Sequence, residues 1–217
     1  MLNAKNFILL SALLALMLTA YAQWPPLLPM YQDSYYQGPY FDPQCVNCGF
    51  TSFGPYGWND RVSSLIVPAL TGNHTWINMF DLTNYGGDFR TFGANQGWGS
   101  AMVYDLLTYR FNDKMASATI HSVEMANAPT LTVYQDVYYG GSSLVLYPHS
   151  YSNMSLYGWG NTISSFKMYG KATFWKFAGN YSGSTLSYQS PLLSTLEVPV
   201  LPEGWNDAIN CIVYGTV

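Results

Sequence analysis

The chain has 217 residues, 8 basic against 12 acidic side chains for a net charge of −4, and 17% aromatic residues, with Tyr the commonest ring at 19. Without a basic cluster there is nothing to neutralise phosphates, which excludes a nucleic-acid partner. A Tyr-rich, charge-poor chain suits pleated sheets, where rings pack across strands, and predicts an all-β protein.

The chain opens with MLNAKNFILLSALLALMLTAYA: one Lys, an apolar run from Phe7 to Leu18, then Ala20 and Ala22 on either side of Tyr21. This is the pattern of a secretory signal peptide, residues 1–22, cut before Gln23. The run is short for a membrane span, and no later segment approaches the roughly 20 apolar residues a spanning helix needs. The mature chain of about 195 residues is therefore expected to be secreted, extracellular and long enough for two small domains. Residues 23–29 form a Pro-rich, extended lead-in.

Four units then repeat one layout: an aromatic, a spacer, a second aromatic, one residue, a Gly, and about 24 to 30 residues later a strand with small polar residues. Unit one opens at YQDSYYQG (Tyr31 to Gly38) and closes at GWNDRVSSLIV around Ser64. Unit two runs from FDLTNYGG (Phe80 to Gly87) to RFNDKMASATI around Ser117. Unit three runs from YQDVYYGG (Tyr134 to Gly141) to GWGNTISSFKM around Ser165. Unit four opens at WKFAGNYSG (Trp175 to Gly183), with one extra spacer residue, and closes at GWNDAINCIVYG around Cys211. Units one and three are most alike, as are two and four, which marks a duplicated pair. The expected organisation is domain one at 30–122, a linker at 123–129 and domain two at 130–217. In each unit the Gly can take positive φ at a bend that folds a hairpin back over its own sheet, with the rings packed against it.

Cys45 and Cys48 in QCVNCGF lack the second pair of a four-ligand zinc site and the strand–helix context of a redox motif. An oxidising compartment favours a local Cys45–Cys48 disulfide with Cys211 a buried thiol on a strand. Two other pairings stay open, because connectivity is not readable from sequence.

The phrase YQDVYYGG followed by NTISSFKMYG resembles the βγ-crystallin Greek-key motif, whose hallmark is an aromatic, a spacer, a Gly and a later Ser that hydrogen-bonds the folded hairpin. The resemblance spans residues 30 to 215, is sharpest in unit three and is weakest in unit four, where Cys211 stands at the Ser position. It implies two βγ-crystallin-like domains, each a sandwich of two Greek keys.

Calcium-binding members of that family carry a clamp in each unit, Asn/Asp, Asn/Asp, any, any, Ser/Thr, Ser, and the two clamps of a domain contribute across to each other's sites. The chemistry follows from a hard cation that takes about six to eight oxygens. Asn59, Asp60, Arg61, Val62, Ser63 and Ser64 match the clamp at every defined position. Asn112, Asp113, Lys114, Met115, Ala116 and Ser117 lack the fifth-position hydroxyl. Gly160, Asn161, Thr162, Ile163, Ser164 and Ser165 lack the first acid or amide. Asn206, Asp207, Ala208, Ile209, Asn210 and Cys211 place an amide at the fifth position. The resemblance thus implies calcium held with weak to moderate affinity, with domain one favoured. The same Asn-Asp pairs also suit a turn entering a strand, since their side chains cap turns. Arg61 and Lys114 would repel the ion unless only their backbone carbonyls are used.

No G-x-S-x-G, H-E-x-x-H, P-loop or G-x-G-x-x-G in strand–helix context is present, and the acids are scattered, so no enzyme is expected. His74, inside a sequon, is expected in a surface loop; His121 and His149 carry no motif. Sequons at Asn73, Asn153 and Asn180 are expected in exposed connections and agree with secretion. The stretch from Thr91 to Phe111 is expected to be irregular, with Trp98 and Tyr104 packed in the core. The expected function is that of a secreted, non-enzymatic βγ-crystallin-like protein, calcium-binding, with an extracellular structural or protective role. The alternative is a secreted binding module, lectin-like or part of a membrane-active defence complex, meeting an extracellular glycan or protein through exposed aromatics such as Trp98.

Overall fold

Alternation in the unit closings, as in TISSFKM, gives strands with one face for a core, and the Gly-bearing openings give the hairpins that precede them. The computed structural model describes residues 27–95, 97, 99–179, 181–192 and 194–216, and among them there are strands and short 3-10 turns but no α-helix. The expected leader, the start of the lead-in, Trp98 and the sequon residue Asn180 lie outside the described residues.

The first half holds β1 (Met30–Asp33), β2 (Gln37–Phe41), β3 (Cys48–Phe50), β4 (Ser64–Val67), β5 (Asn73–Phe80), β6 (Phe89–Asn95), β7 (Ala101–Val103) and β8 (Ser117–Glu124). The second holds β9 (Leu131–Tyr134), β10 (Ser143–Leu146), β11 (His149–Tyr151), β12 (Ser165–Met168), β13 (Lys171–Trp175), β14 (Thr185–Gln189), β15 (Leu196–Val198) and β16 (Cys211–Gly215). Four antiparallel sheets result, ordered β2-β1-β4-β7, β3-β8-β5-β6, β10-β9-β12-β15 and β11-β16-β13-β14. In every unit the first, second and fourth strands share a sheet while the third crosses to the partner sheet. That exchange closes a two-sheet sandwich over one core in each half, built on Phe53, Leu65, Ile77 and Phe92 in one and Val133, Phe166, Phe174 and Tyr214 in the other.

The folded hairpins explain the repeat. In unit one the bend places Tyr35 and Tyr36 in the left-handed region (φ 58° and 61°), a conformation that L side chains resist. The Ser64 hydroxyl holds it there, donating to the Asp33 carbonyl (2.6 Å) and accepting from the Tyr36 N–H (3.0 Å). Ser117 does the same for Leu82 and Tyr85 (2.6 and 3.0 Å), and Ser165 for Asp136 and Tyr139 (2.6 and 3.1 Å). In unit four the Cys211 thiol donates to the matching carbonyl of Phe177 (2.8 Å), so the Ser-to-Cys departure keeps the link. The two motif aromatics meet over each bend: Tyr31 with Tyr36, Phe80 with Tyr85, Tyr134 with Tyr139 and Trp175 with Tyr181, at 5.5, 5.8, 5.5 and 5.3 Å between centroids. Gly38 and Gly141 have φ of 74° and 70°, and a Cβ at either would run into the carboxylate of Asp33 or Asp136.

The two halves meet through β5 and β6 on one side and β11, β13 and β16 on the other. Phe80 and Phe89 join Trp175, Tyr181, Cys211 and Val213 in a third buried cluster between the cores. Arg90, 4% exposed, lies in it with its guanidinium 4.6 Å above the Tyr181 ring and donates to the Tyr109 and Phe89 carbonyls, both at 2.8 Å. Burial without a carboxylate bond pushes its pKa down. Thr91 N–H donates to Ser150 Oγ (2.9 Å) and Asn78 Nδ2 to the Thr216 carbonyl (2.5 Å) across the junction.

Several local expectations change. His74 is not in a surface loop: it is fully buried in β5, because Asn73–Phe80 pairs on both edges, with β6 and β8. Asn73 therefore opens a strand, its Nδ2 donating to Ser122 Oγ (3.0 Å), whereas Asn153 does sit in a connection, capping the following 3-10 turn. Val123 and Glu124, expected to begin a linker, continue β8. The stretch from Thr91 to Phe111 holds the end of β6, all of β7 and a 3-10 turn at Leu106–Tyr109, and Tyr104 is exposed, not a core residue. Cys45 and Cys48 are disulfide-bonded and Cys211 is buried.

Replacing Ser165 by Ala strands the Tyr139 N–H and the Asp136 carbonyl at a bend held against its own preference. Urea unfolding is expected to show a loss of about 1 to 3 kcal/mol, and Ser165→Cys a smaller one, because position 211 already works with a thiol.

Candidate metal centres

The second clamp residue is left-handed in all four units: Asp60, Asp113, Asn161 and Asp207 have φ of 54°, 50°, 56° and 52°. Besides Gly, residues with a short polar side chain visit this region most readily, which accounts for Asn or Asp there before any ion is considered. Within each half the clamps are tied reciprocally. Asp60 N–H donates to the Met115 carbonyl (3.0 Å) and Asp113 N–H to Val62 (3.2 Å); Asn161 donates to Ile209 (3.0 Å) and Asp207 to Ile163 (3.1 Å). The second residue of one clamp is thereby set beside the fifth residue of the other.

Four composite positions follow, and they are unequal. Ser63 Oγ donates to Asp113 Oδ1 at 3.1 Å, with Asn112 Nδ2 on the other carboxylate oxygen at 2.7 Å. Ser164 Oγ donates to Asp207 Oδ1 at 3.1 Å, with Asn206 Nδ2 on the other oxygen at 2.8 Å. These two positions are near copies, one per half. The third sets Asp60 opposite Ala116, and among the described residues the Asp60 carboxylate is met by its neighbour Asn59 alone, 2.7 Å from its Oδ2. The fourth pairs Asn161 with Asn210 by an amide–amide hydrogen bond and has no carboxylate. Gly160 is explained by crowding, since a Cβ would strike Ser155 Oγ.

The unit-one clamp, complete as a linear motif, is thus divided between two positions: Ser63 completes a pair with Asp113 and Asp60 faces a methyl group. The sequence-based preference for domain one gives way to equal hydroxyl–carboxylate pairs in both halves. Arg61 and Lys114 are exposed, so their charged ends lie in solvent. The Thr162 hydroxyl is engaged with the Trp159 carbonyl (3.1 Å), which leaves its backbone carbonyl, like that of Ala208, as the oxygen it has to offer.

The donor sets suit a hard cation in kind: carboxylate, amide and hydroxyl oxygens, with backbone carbonyls adjacent. The Asn112 Oδ1 atom is buried and, among the described residues, has no hydrogen-bond donor, beside the Ser63–Asp113 pair. Charge is sparse, with one carboxylate at each intact position, and among the described residues no three His, Cys, Asp or Glu side chains cluster. Such a set fits the weak end of calcium binding.

No protein-family model matches the chain, and no curated protein matches it in sequence. Among solved structures it is similar to a βγ-crystallin from Ciona intestinalis, 20% identical over 40% of this chain and 99% of that one, with a TM-score of 0.35. It is similar to Protein S complexed with calcium, 22% identical over 87% of this chain and 98% of that one, with a TM-score of 0.35. A βγ-crystallin domain from Clostridium beijerinckii is 24% identical over 39% of this chain and 97% of that one, with a TM-score of 0.33. The four serine- or cysteine-closed hairpins and the exchanged third strands define the fold. By that geometry the chain has the fold of the βγ-crystallin superfamily, two domains of two Greek keys each.

Proposed function

We propose that this is a secreted, non-enzymatic βγ-crystallin-like protein that binds calcium and serves an extracellular structural or protective role. The observation that supports calcium is the pairing, in both halves, of a serine hydroxyl from one unit with an aspartate from the other, Ser63 with Asp113 and Ser164 with Asp207. An ion held there would tie together two units of one sandwich, and would stabilise the folded form because the unfolded chain has no such pair. The signal-peptide pattern and the Cys45–Cys48 disulfide support the compartment.

Calorimetric unfolding in EDTA and in millimolar calcium tests this. At calcium about ten times the dissociation constant, each site adds about 1.4 kcal/mol, a rise of a few degrees in a chain of this size. Asp113→Ala and Asp207→Ala are each expected to remove part of the rise and the pair all of it, while Asp60→Ala leaves it. A wild-type midpoint indifferent to calcium rejects the reading.

A second reading, a secreted glycan-binding module, has its own support. Tyr40, Tyr31, Tyr36 and Tyr104 form a file on the outer face of the first sheet, with centroids 5.8, 5.5 and 5.2 Å apart along it. The equivalent places in domain two hold Ser143 beside Tyr134, and Pro199, next to a Lys167–Glu197 ion pair. The tyrosines beyond the hairpin pair are therefore not required by the fold. A glycan array is expected to give a ligand whose affinity falls about tenfold or more in Tyr40→Ala/Tyr104→Ala; an array blank for the wild type rejects this reading.

A further inference from the structure

All three histidines of the chain lie at the junction of the two domains. Trp76 of β5 is stacked between His121 (4.8 Å, 15°) and His74 (5.5 Å, 27°), and the His74 ring lies 5.3 Å from that of Tyr147 in domain two. The file runs from one interdomain cleft to another. His121 lines a cleft with Pro129, Thr130 and Thr216, and His149 lines one of about 550 Å³ with Tyr147, Tyr151 and Tyr157. Gly93 sits at the tightest point. A Cβ there would collide with the Pro148 carbonyl and would come within 3.0 Å of the His74 ring.

One bond at this point needs a neutral ring. Gly93 N–H donates to His149 Nδ1 across the junction at 3.1 Å, so Nδ1 carries no proton and the neutral ring holds its proton on Nε2. His74 in turn donates to the Pro148 carbonyl, a bond its charged form also makes, so only burial disfavours its charge. A second proton on His149 would turn its acceptor into a donor pointing at the Gly93 N–H. A charge on His74 would lie in a fully buried site beside the His149 ring.

We infer that this junction is an acid-sensitive latch, closed while His74 and His149 are neutral and released by their protonation, which parts the two domains and bares the aromatic seam of Phe80, Phe89, Trp175 and Tyr181. It uses none of the clamp residues and stands independently of calcium.

Electrostatics point the same way. Burial is the main cause that lowers His74, His121 and His149 from 6.5 to about 4, with the nearby His74 adding to it at His149 and the Pro148 carbonyl opposing it at His74. The titratable groups facing His149 are His74 from β5, Tyr151 from β11, its cross-strand partner Tyr214 from β16 and, around the cleft, Tyr147 and Tyr157; among the described residues no carboxylate is a cause of the shift of any of the three rings. The open state thus binds more protons between pH 6.5 and 4. Closure is favoured fully above that window and is lost as pH falls through it. At pH 5.5 each ring shifts the open-to-closed ratio about tenfold relative to pH 8, and two rings about a hundredfold.

Small-angle X-ray scattering of the intact two-domain chain from pH 8 to 4.5, with far-UV circular dichroism alongside, tests the latch. The expected result is a rise in radius of gyration within that window with the β signal retained, since each domain keeps its own core. His74→Gln/His149→Asn, whose amides do not titrate and whose Asn keeps an acceptor for Gly93, is expected to move the transition down by about one pH unit or more. A constant radius, loss of β signal in the same step, or an unshifted transition in a folded double variant overturns the inference. Histidine ring-proton NMR on the wild type needs no variant. Rings that titrate only with the opening support the latch, and rings that titrate near 6.5 in the closed form refute it.

Discussion

The structure depends on a hydroxyl that pins an unfavourable bend. In units one and three two consecutive tyrosines, and in unit two an Asn-Tyr pair, sit in the left-handed region, and in each case a serine from the fourth strand satisfies a carbonyl before the bend and an N–H after it. That serine is the last residue of the clamp. The residue before it belongs to the other task, reaching the aspartate of the partner unit. Fold and candidate metal centre thus share a dipeptide whose two side chains point to opposite duties, as successive residues of a strand do. Unit four shows how far the arrangement can drift: a thiol closes the hairpin, an amide replaces the reaching hydroxyl, and the sandwich is kept while the carboxylate at that position is lost.

Duplication has left the two domains alike inside and different outside. Their cores and hairpins correspond, but the first sheet carries a tyrosine file where its counterpart carries an ion pair. The junction is different again. Buried Arg90, His74, Asn78 and Thr91, with the half-buried His121 and His149, make it more polar than either core, and Gly93 and Gly215 let the backbones approach where a side chain would collide. Polar groups so placed are tolerated only while each has its partner, which makes the junction more sensitive to protonation than the apolar cores beside it.

Much of this was legible in the sequence because the repeat encodes backbone conformation. YQDVYYGG states where the chain must turn left-handed, and the later serine states what holds it. The pairing of clamps was less legible. A linear motif suggests that six adjacent residues form one site, whereas Asp60 and Ser63 serve different positions, and Asn161 and Ala116 matter through residues some 50 positions away. His74 was misplaced for a different reason. GNHTW looks like a turn, and β5 shows no alternation because one face meets its own core and the other meets domain two, so Thr75 and Asn78 are buried with their hydrogen bonds made. The signal that could have placed it was the length of the run NHTWINMF, too long and too apolar at its end for a loop.

The central claim is that each centre is shared between units, not contained in one clamp. Calcium titration calorimetry on a double-mutant cycle tests it most directly, using Ser63→Ala and Asp113→Ala against Ser63→Ala and Asp60→Ala. The account predicts strong non-additivity for the first pair, which share an ion, and additivity for the second, which do not. Coupling between Ser63 and Asp60 with none between Ser63 and Asp113 would contradict it.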